Sequence, residues 1–234
     1  MHPHHLDDVR SALVYLQRNY GFGGNYLLVG HSAGGALAFQ LVAGSPSSSS
    51  SHPSSSHSAS GSSTLTSSVA QDAASAEAGK NRPALPAAIV SFGGLYDFTG
   101  INERYGGAYA PFFQGAFGEE ERCWDEAAPI KFPGNYTQKF PIDSGSLILL
   151  GWSPQDTLVD EPEADNMALR LRDVDGFVEE GVGEEGEGKG VKRNGNRLVL
   201  LKDLHGDHDE IWRNGEGVAR MVWIALRKLG LSNQ

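Results

Sequence analysis

Residues 25–42 read NYLLVGHSAGGALAFQLV, and this stretch decides the fold. Its first six residues form a short apolar run closing on Gly30, the pattern of a strand buried on both faces. From His31 to Val42 the apolar residues recur at helical spacing. At the junction lies Gly30-His31-Ser32-Ala33-Gly34, a G-x-S-x-G. In a chain with 30 Gly the bare pattern is weak. Its place between strand end and helix start gives it weight. A turn of that kind aims a serine hydroxyl outward at the carboxyl end of a sheet and needs small residues where the chain folds back. The Ala33 N–H opens the helix, where free backbone donors stabilise an oxyanion.

The same alternation continues outward from this stretch. Helical spacing over 6–20 places Leu6, Val9, Leu13, Leu16 and Tyr20 on one face. Residues 84–94, 145–152 and 197–204 read as further strands. Residues 161–174, with Pro162 at their start, and 212–229, with Val218, Val222, Ala225 and Leu229 on one face, read as helices. Helices alternating with nearly continuous apolar strands predict an α/β fold, a mostly parallel sheet with helices on both faces. Two segments do not read as core: the Ser-rich stretch at 44–82 and the Gly/Glu-rich stretch at 176–196, expected to be solvated loop insertions. With 234 residues the expectation is one domain spanning 1–234.

Composition excludes several classes of function. A net charge of -10 argues against nucleic-acid binding, which needs a Lys/Arg surface. No apolar run approaches the ~20 residues of a membrane helix, and no leader of the basic-then-apolar kind follows Met1. The single cysteine, Cys123, rules out an internal disulfide framework and a Cys-based zinc site. The expectation is a cytoplasmic protein acting on a small-molecule substrate, without a cofactor, metal, nucleic acid or membrane as partner, and compatible with a homodimer.

A serine hydroxyl becomes a nucleophile when a base takes its proton and a carboxylate orients the base. In elbow enzymes the chain order is Ser, then Asp or Glu, then His. Asp156, in the loop SPQDTLVD after the strand at 145–152, is the first choice for the acid. Asp160, also placed to cap a helix, and Asp97, in GGLYDF, are the alternatives. The strand at 197–204 is followed by HGDHDE. His208, further from the strand end, is preferred as base to His205. The same hexapeptide could ligate a metal, but no second ligand cluster accompanies it.

GHSAGGALAFQ, GGLYDF, the aromatic stretch YGGAYAPFFQGAFG with Trp124 beyond it, SPQDTLVD and GDHDEIW together resemble the fungal kynurenine formamidases (arylformamidases). The resemblance runs from about His2 to Trp212, outside the two low-complexity stretches. It implies an α/β-hydrolase whose first strands are missing and which removes the formyl group of N-formyl-L-kynurenine in tryptophan breakdown toward NAD. It matches Ser32 to the nucleophile, Asp156 to the acid and His208 to the base, with the Ala33 N–H in the oxyanion hole. Tyr96, Phe98, Tyr105, Tyr109, Phe112 and Phe113 are candidates to stack on the aromatic substrate, or else to pack a cap or the core. The family's HGGxW segment, which completes the oxyanion hole, has no counterpart here. That departure predicts an N-terminally truncated member that is weakly active or inactive. The alternatives are a general esterase of short acyl groups and an inactive hydrolase fold serving as a binding module.

Overall fold

The structure, a computed structural model, describes residues 2–44, 82–140, 145–182 and 195–231. Five strands form one sheet: β1 (Leu27–His31), β2 (Ala88–Phe92), β3 (Leu147–Gly151), β4 (Val178–Glu179) and β5 (Arg197–Leu201). Their order is β1-β2-β3-β5-β4, and every pairing is parallel. The central strands read AIVSF and LILLG and are buried at every position. Such uninterrupted burial follows from helices lying on both faces of a parallel sheet.

One face is covered by α2 (Ala33–Ala43) and α6 (Glu161–Leu169), which bring Phe39, Val42, Met167 and Ala168 onto Ile89, Ile148, Leu150 and Leu198. The other is covered by α8 (Glu216–Lys228), whose Met221, Ile224 and Ala225 pack on Val90, Leu149 and Val199. Of the expected face, Ala225 is buried there and Val218 and Leu229 pack against the same cluster, while Val222 is half-buried and Met221 and Ile224 widen the face. The expected helix at 212–229 is broken at Asn214-Gly215, which separate α8 from the short α7 (Glu210–Arg213). Helix α1 (His4–Tyr20) packs Leu6 and Leu13 on Leu41 of α2. The helix beginning at Glu161 changes at Leu169 into a wider π-helical turn, Arg170–Val174. There Arg170 pairs with buried Asp175 and donates to the carbonyls of Ile130 and Gly134.

Three helices between β2 and β3 stand where only an aromatic pattern is readable in the sequence: α3 (Phe98–Arg104), α4 (Ala110–Phe117) and α5 (Glu121–Ala127). They enclose a second core of Phe98, Ile101, Phe113 and Trp124. Most of the 44–82 stretch lies outside the described residues. The stretch expected as an insertion at 176–196 is part of the fold at its start. Phe177 is buried against Phe140, and Val178 and Glu179 pair with Arg197 and Leu198 as an edge strand. One aromatic ring with somewhere to pack outweighs the polar composition around it; residues 183–194 lie outside the described ones.

Candidate active site

The register sets Gly30, Ser91, Leu150 and Leu200 side by side, then His31, Phe92, Gly151 and Leu201. The loops that follow all four strands therefore leave the sheet at one edge, the carboxyl end, where α/β sheets build their sites. Ser32 leaves β1 there with φ 55° and ψ -124°, the one non-glycine residue at positive φ among the described residues. Such a backbone costs of order 1–3 kcal/mol and persists where the surroundings impose it. Here the Ser32 N–H donates to the Phe92 carbonyl (3.2 Å), and its own carbonyl accepts from Gly35 (2.9 Å) and Leu95 (3.3 Å). A Cβ on Gly30 would meet the Gly34 carbonyl oxygen at 2.4 Å, so no larger residue fits before the turn. Gly34 has no such neighbour. Ala33 is the first residue of α2, where a backbone N–H has no acceptor within its own helix.

The loops after β3 and β5 bring Asp156 and His208 together. His208 Nδ1 lies 2.9 Å from Asp156 Oδ2 and 3.1 Å from Oδ1, and both side chains are buried, His208 at 5% exposure. Asp156 Oδ1 also accepts from the backbone N–H groups of Leu158 (3.0 Å) and Val159 (2.8 Å), which set its orientation. The loop after β2 passes against this pair. Gly93 has φ +50°, and a Cβ there would lie 3.0 Å from Asp156 Oδ2 and 3.4 Å from His208 Nδ1. The His31 ring, from the residue before Ser32, lies between Phe92 (5.0 Å) and His208 (4.4 Å). Burial, then the nearby His208, pushes its pKa down. His31 thus stays a neutral ring against the face of the other imidazole. Sequence reading passed over both His31 and Gly93. The first is the variable position of the motif, and the second is one half of a Gly-Gly whose close approach only the tertiary structure reveals.

The alternatives fall elsewhere. His205 is exposed. Asp160 stands at the start of α6 but caps nothing with its side chain, which instead receives the guanidinium of Arg104. Asp97 caps α3 through the Gly100 N–H (3.2 Å). Among the described residues, no group of three or more His, Cys, Asp and Glu gathers to hold a metal ion. No described helix is long and apolar enough to cross a membrane.

The aromatic candidates divide. Tyr96 is 1% exposed, edge-on to Phe39, with its hydroxyl 2.6 Å from Ser91 Oγ. Phe98 is 2% exposed and stacks on Phe113 and Phe117. Both are core residues rather than substrate contacts, because packing uses all of their surface; Phe113 is buried with them. Tyr105 and Tyr109 meet edge to face at 5.3 Å, within electrostatic reach of Asp156, and Phe112 beside Tyr109 is 73% exposed. Tyr109 donates its hydroxyl to the Leu158 carbonyl, and burial holds its pKa up at about 12, so the donor keeps its proton.

A parallel sheet, a strained serine at its carboxyl end and a buried Asp–His pair from later loops stand together here, and the whole arrangement can be compared with solved structures. The chain matches a truncated form of a carbohydrate esterase from gut microbiota with a TM-score of 0.57 at 14% identity, covering 98% of this chain and 70% of that one. It matches an acetyl ester-xyloside bifunctional hydrolase from Caldicellulosiruptor lactoaceticus with a TM-score of 0.51 at 13% identity, covering 99% and 68%. In sequence it is 30% identical over 235 residues to a kynurenine formamidase of Aspergillus versicolor, covering 93% of this chain and 65% of that protein. A kynurenine formamidase-like hydrolase of Fusarium equiseti is 29% identical over 234 residues, covering 98% and 60%. The chain has the α/β-hydrolase fold, and its sequence is similar to these two fungal proteins. The chain spans less than two thirds of the length of either protein. No protein-family model matches it.

Proposed function

We propose that the protein is a serine hydrolase that removes a small acyl group from an aromatic amine, with N-formyl-L-kynurenine as its substrate and L-kynurenine and formate as products. The observation that carries this is the strained Ser32 turn at the same end of the sheet as a buried His208–Asp156 pair. Asp156 holds Nδ1, which leaves Nε2 of His208 to take the Ser32 proton as Oγ attacks the formyl carbon. Asp156 then stabilises the imidazolium. The Ala33 N–H donates to the developing oxyanion. As the tetrahedral adduct collapses, His208 returns the proton to the departing aryl amine, and water drawn through the same base releases formate. The exposed ring of Phe112 and the Tyr105–Tyr109 pair stand close enough to the acid loop to serve as a stacking surface for the aryl group.

The relatives' names support formamide as the bond cleaved. The test compares kcat/KM for formate release from N-formylkynurenine with that for p-nitrophenyl acetate. The formamidase assignment requires the former to exceed the latter. Hydrolysis of the ester alone would replace it with a short-chain esterase, and hydrolysis of neither would favour a binding module.

A further inference from the structure

The loop that carries the base is fastened to the loop that carries the acid by more than the Asp156–His208 contact. Asp207 is exposed, a setting in which a carboxylate is ordinarily left to solvent. Its Oδ1 instead collects three donors: the His208 N–H (2.7 Å), the Thr157 N–H (2.9 Å) and the Thr157 hydroxyl (2.8 Å). These donors, the Thr157 N–H foremost, hold its pKa below the usual carboxylate range, so it stays an acceptor. One residue earlier, the Gly206 N–H donates to Gln155 Oε1 (2.6 Å), and the Gly206 carbonyl accepts from Ser153 Oγ (2.7 Å). On its other side the Asp207 N–H donates to Glu210 Oε2 (3.0 Å).

We propose that Asp207 is a positioning residue for the base, its carboxylate tying the backbone of His208 to the residue that follows Asp156. The role rests on the serine-hydrolase function proposed above. A single oxygen shared by the amides of residues 208 and 157 fixes the two loops relative to each other, and with them the placing of the imidazole against Asp156. Hydrogen bonds at an exposed site add little to stability, but a base displaced by about 1 Å loses up to ~100-fold in rate. Loss of Asp207 therefore acts on rate more than on folding.

The experiment follows attachment of a fluorophosphonate to Ser32 by intact mass, giving kinact and KI. Near-UV circular dichroism on the same samples reports folding. Asp207→Ala is expected to lower kinact about tenfold or more with KI unchanged. Asp207→Asn, whose amide oxygen still accepts, is expected to recover most of that loss. Should Asp207→Ala not fold, Thr157→Val, which removes one donor, must still slow kinact. Labelling that His208→Ala abolishes but Asp207→Ala leaves at the wild-type rate overturns the positioning role alone, as does Asp207→Asn proving as slow as Asp207→Ala. A wild-type chain that takes no adduct on Ser32, or a His208→Ala chain that labels at full rate, overturns the hydrolase function beneath it.

Discussion

Two regions of this molecule carry the residues that its sequence singles out for chemistry, and they behave differently in the fold. In the loops after β3 and β5, Asp156 and His208 meet as the chain order requires. In the segment between β2 and β3, Tyr96, Phe98 and Phe113 go into the core, while Tyr109, with Tyr105 and Phe112 beside it, reaches the loop of Asp156 through the Leu158 carbonyl. A buried carboxylate or imidazole at a sheet's carboxyl end needs a partner, and few positions can supply one. An aromatic ring gains as much from a core as from a ligand face. Residue type and spacing therefore assign the first region and leave the second open.

The regions are joined by one cluster. Glu163 of α6 is buried. Its Oε2 accepts from the backbone N–H groups of Tyr96 (2.5 Å) and Asp97 (2.9 Å), while Oε1 accepts from Arg104 (2.6 Å), which also holds Asp160. Burial outweighs these donors and lifts the Glu163 carboxyl from 4.5 to about 7. The joint thus ties the start of the aromatic helices to the end of the loop that holds Asp156.

Four substitutions separate the regions. The largest effect is expected at the proposed nucleophile: Ser32→Ala should lower kcat about ten-thousandfold or more while the urea midpoint stays unchanged. The opposite signature is expected of Phe98→Ala, a loss of about 3–5 kcal/mol in urea unfolding with activity per folded molecule kept. If that variant instead lost activity at full stability, Phe98 would belong to the site. At the joint, the folded chain holds the Glu163 proton more tightly than the unfolded one does. The contribution of this group to stability should accordingly be full below pH 4.5 and be lost as pH rises through about 7, a change of about 3 kcal/mol. Glu163→Gln should flatten that slope in unfolding curves recorded across the window. The smallest effect is expected at the exposed ring: Phe112→Ala should change stability by less than about 0.5 kcal/mol and raise KM for an aryl substrate more than for an acetyl ester. An equal change for both substrates would remove Phe112 from the stacking surface.

The parallel sheet was legible because β2 and β3 are apolar at consecutive positions, and the elbow because a strand, a G-x-S-x-G and a helix follow one another without a gap. Helices α3 to α5 were not legible. Their packing is aromatic on aromatic, as where Phe98 stacks on Phe113 and Phe117, and no simple period announces it. The same holds for the glycine at 93 and the ring of His31, whose importance lies in what the fold brings beside them. Phe177 was hidden by its acidic and glycine-rich neighbours until Phe140 gave it a surface to bury against.

Peptide mapping after fluorophosphonate treatment tests the central claim most directly, since it asks which side chain reacts. The adduct is expected on Ser32 of the wild-type chain and on no residue of Ser32→Ala. An adduct at another serine, or an equal yield in the variant, would contradict the account.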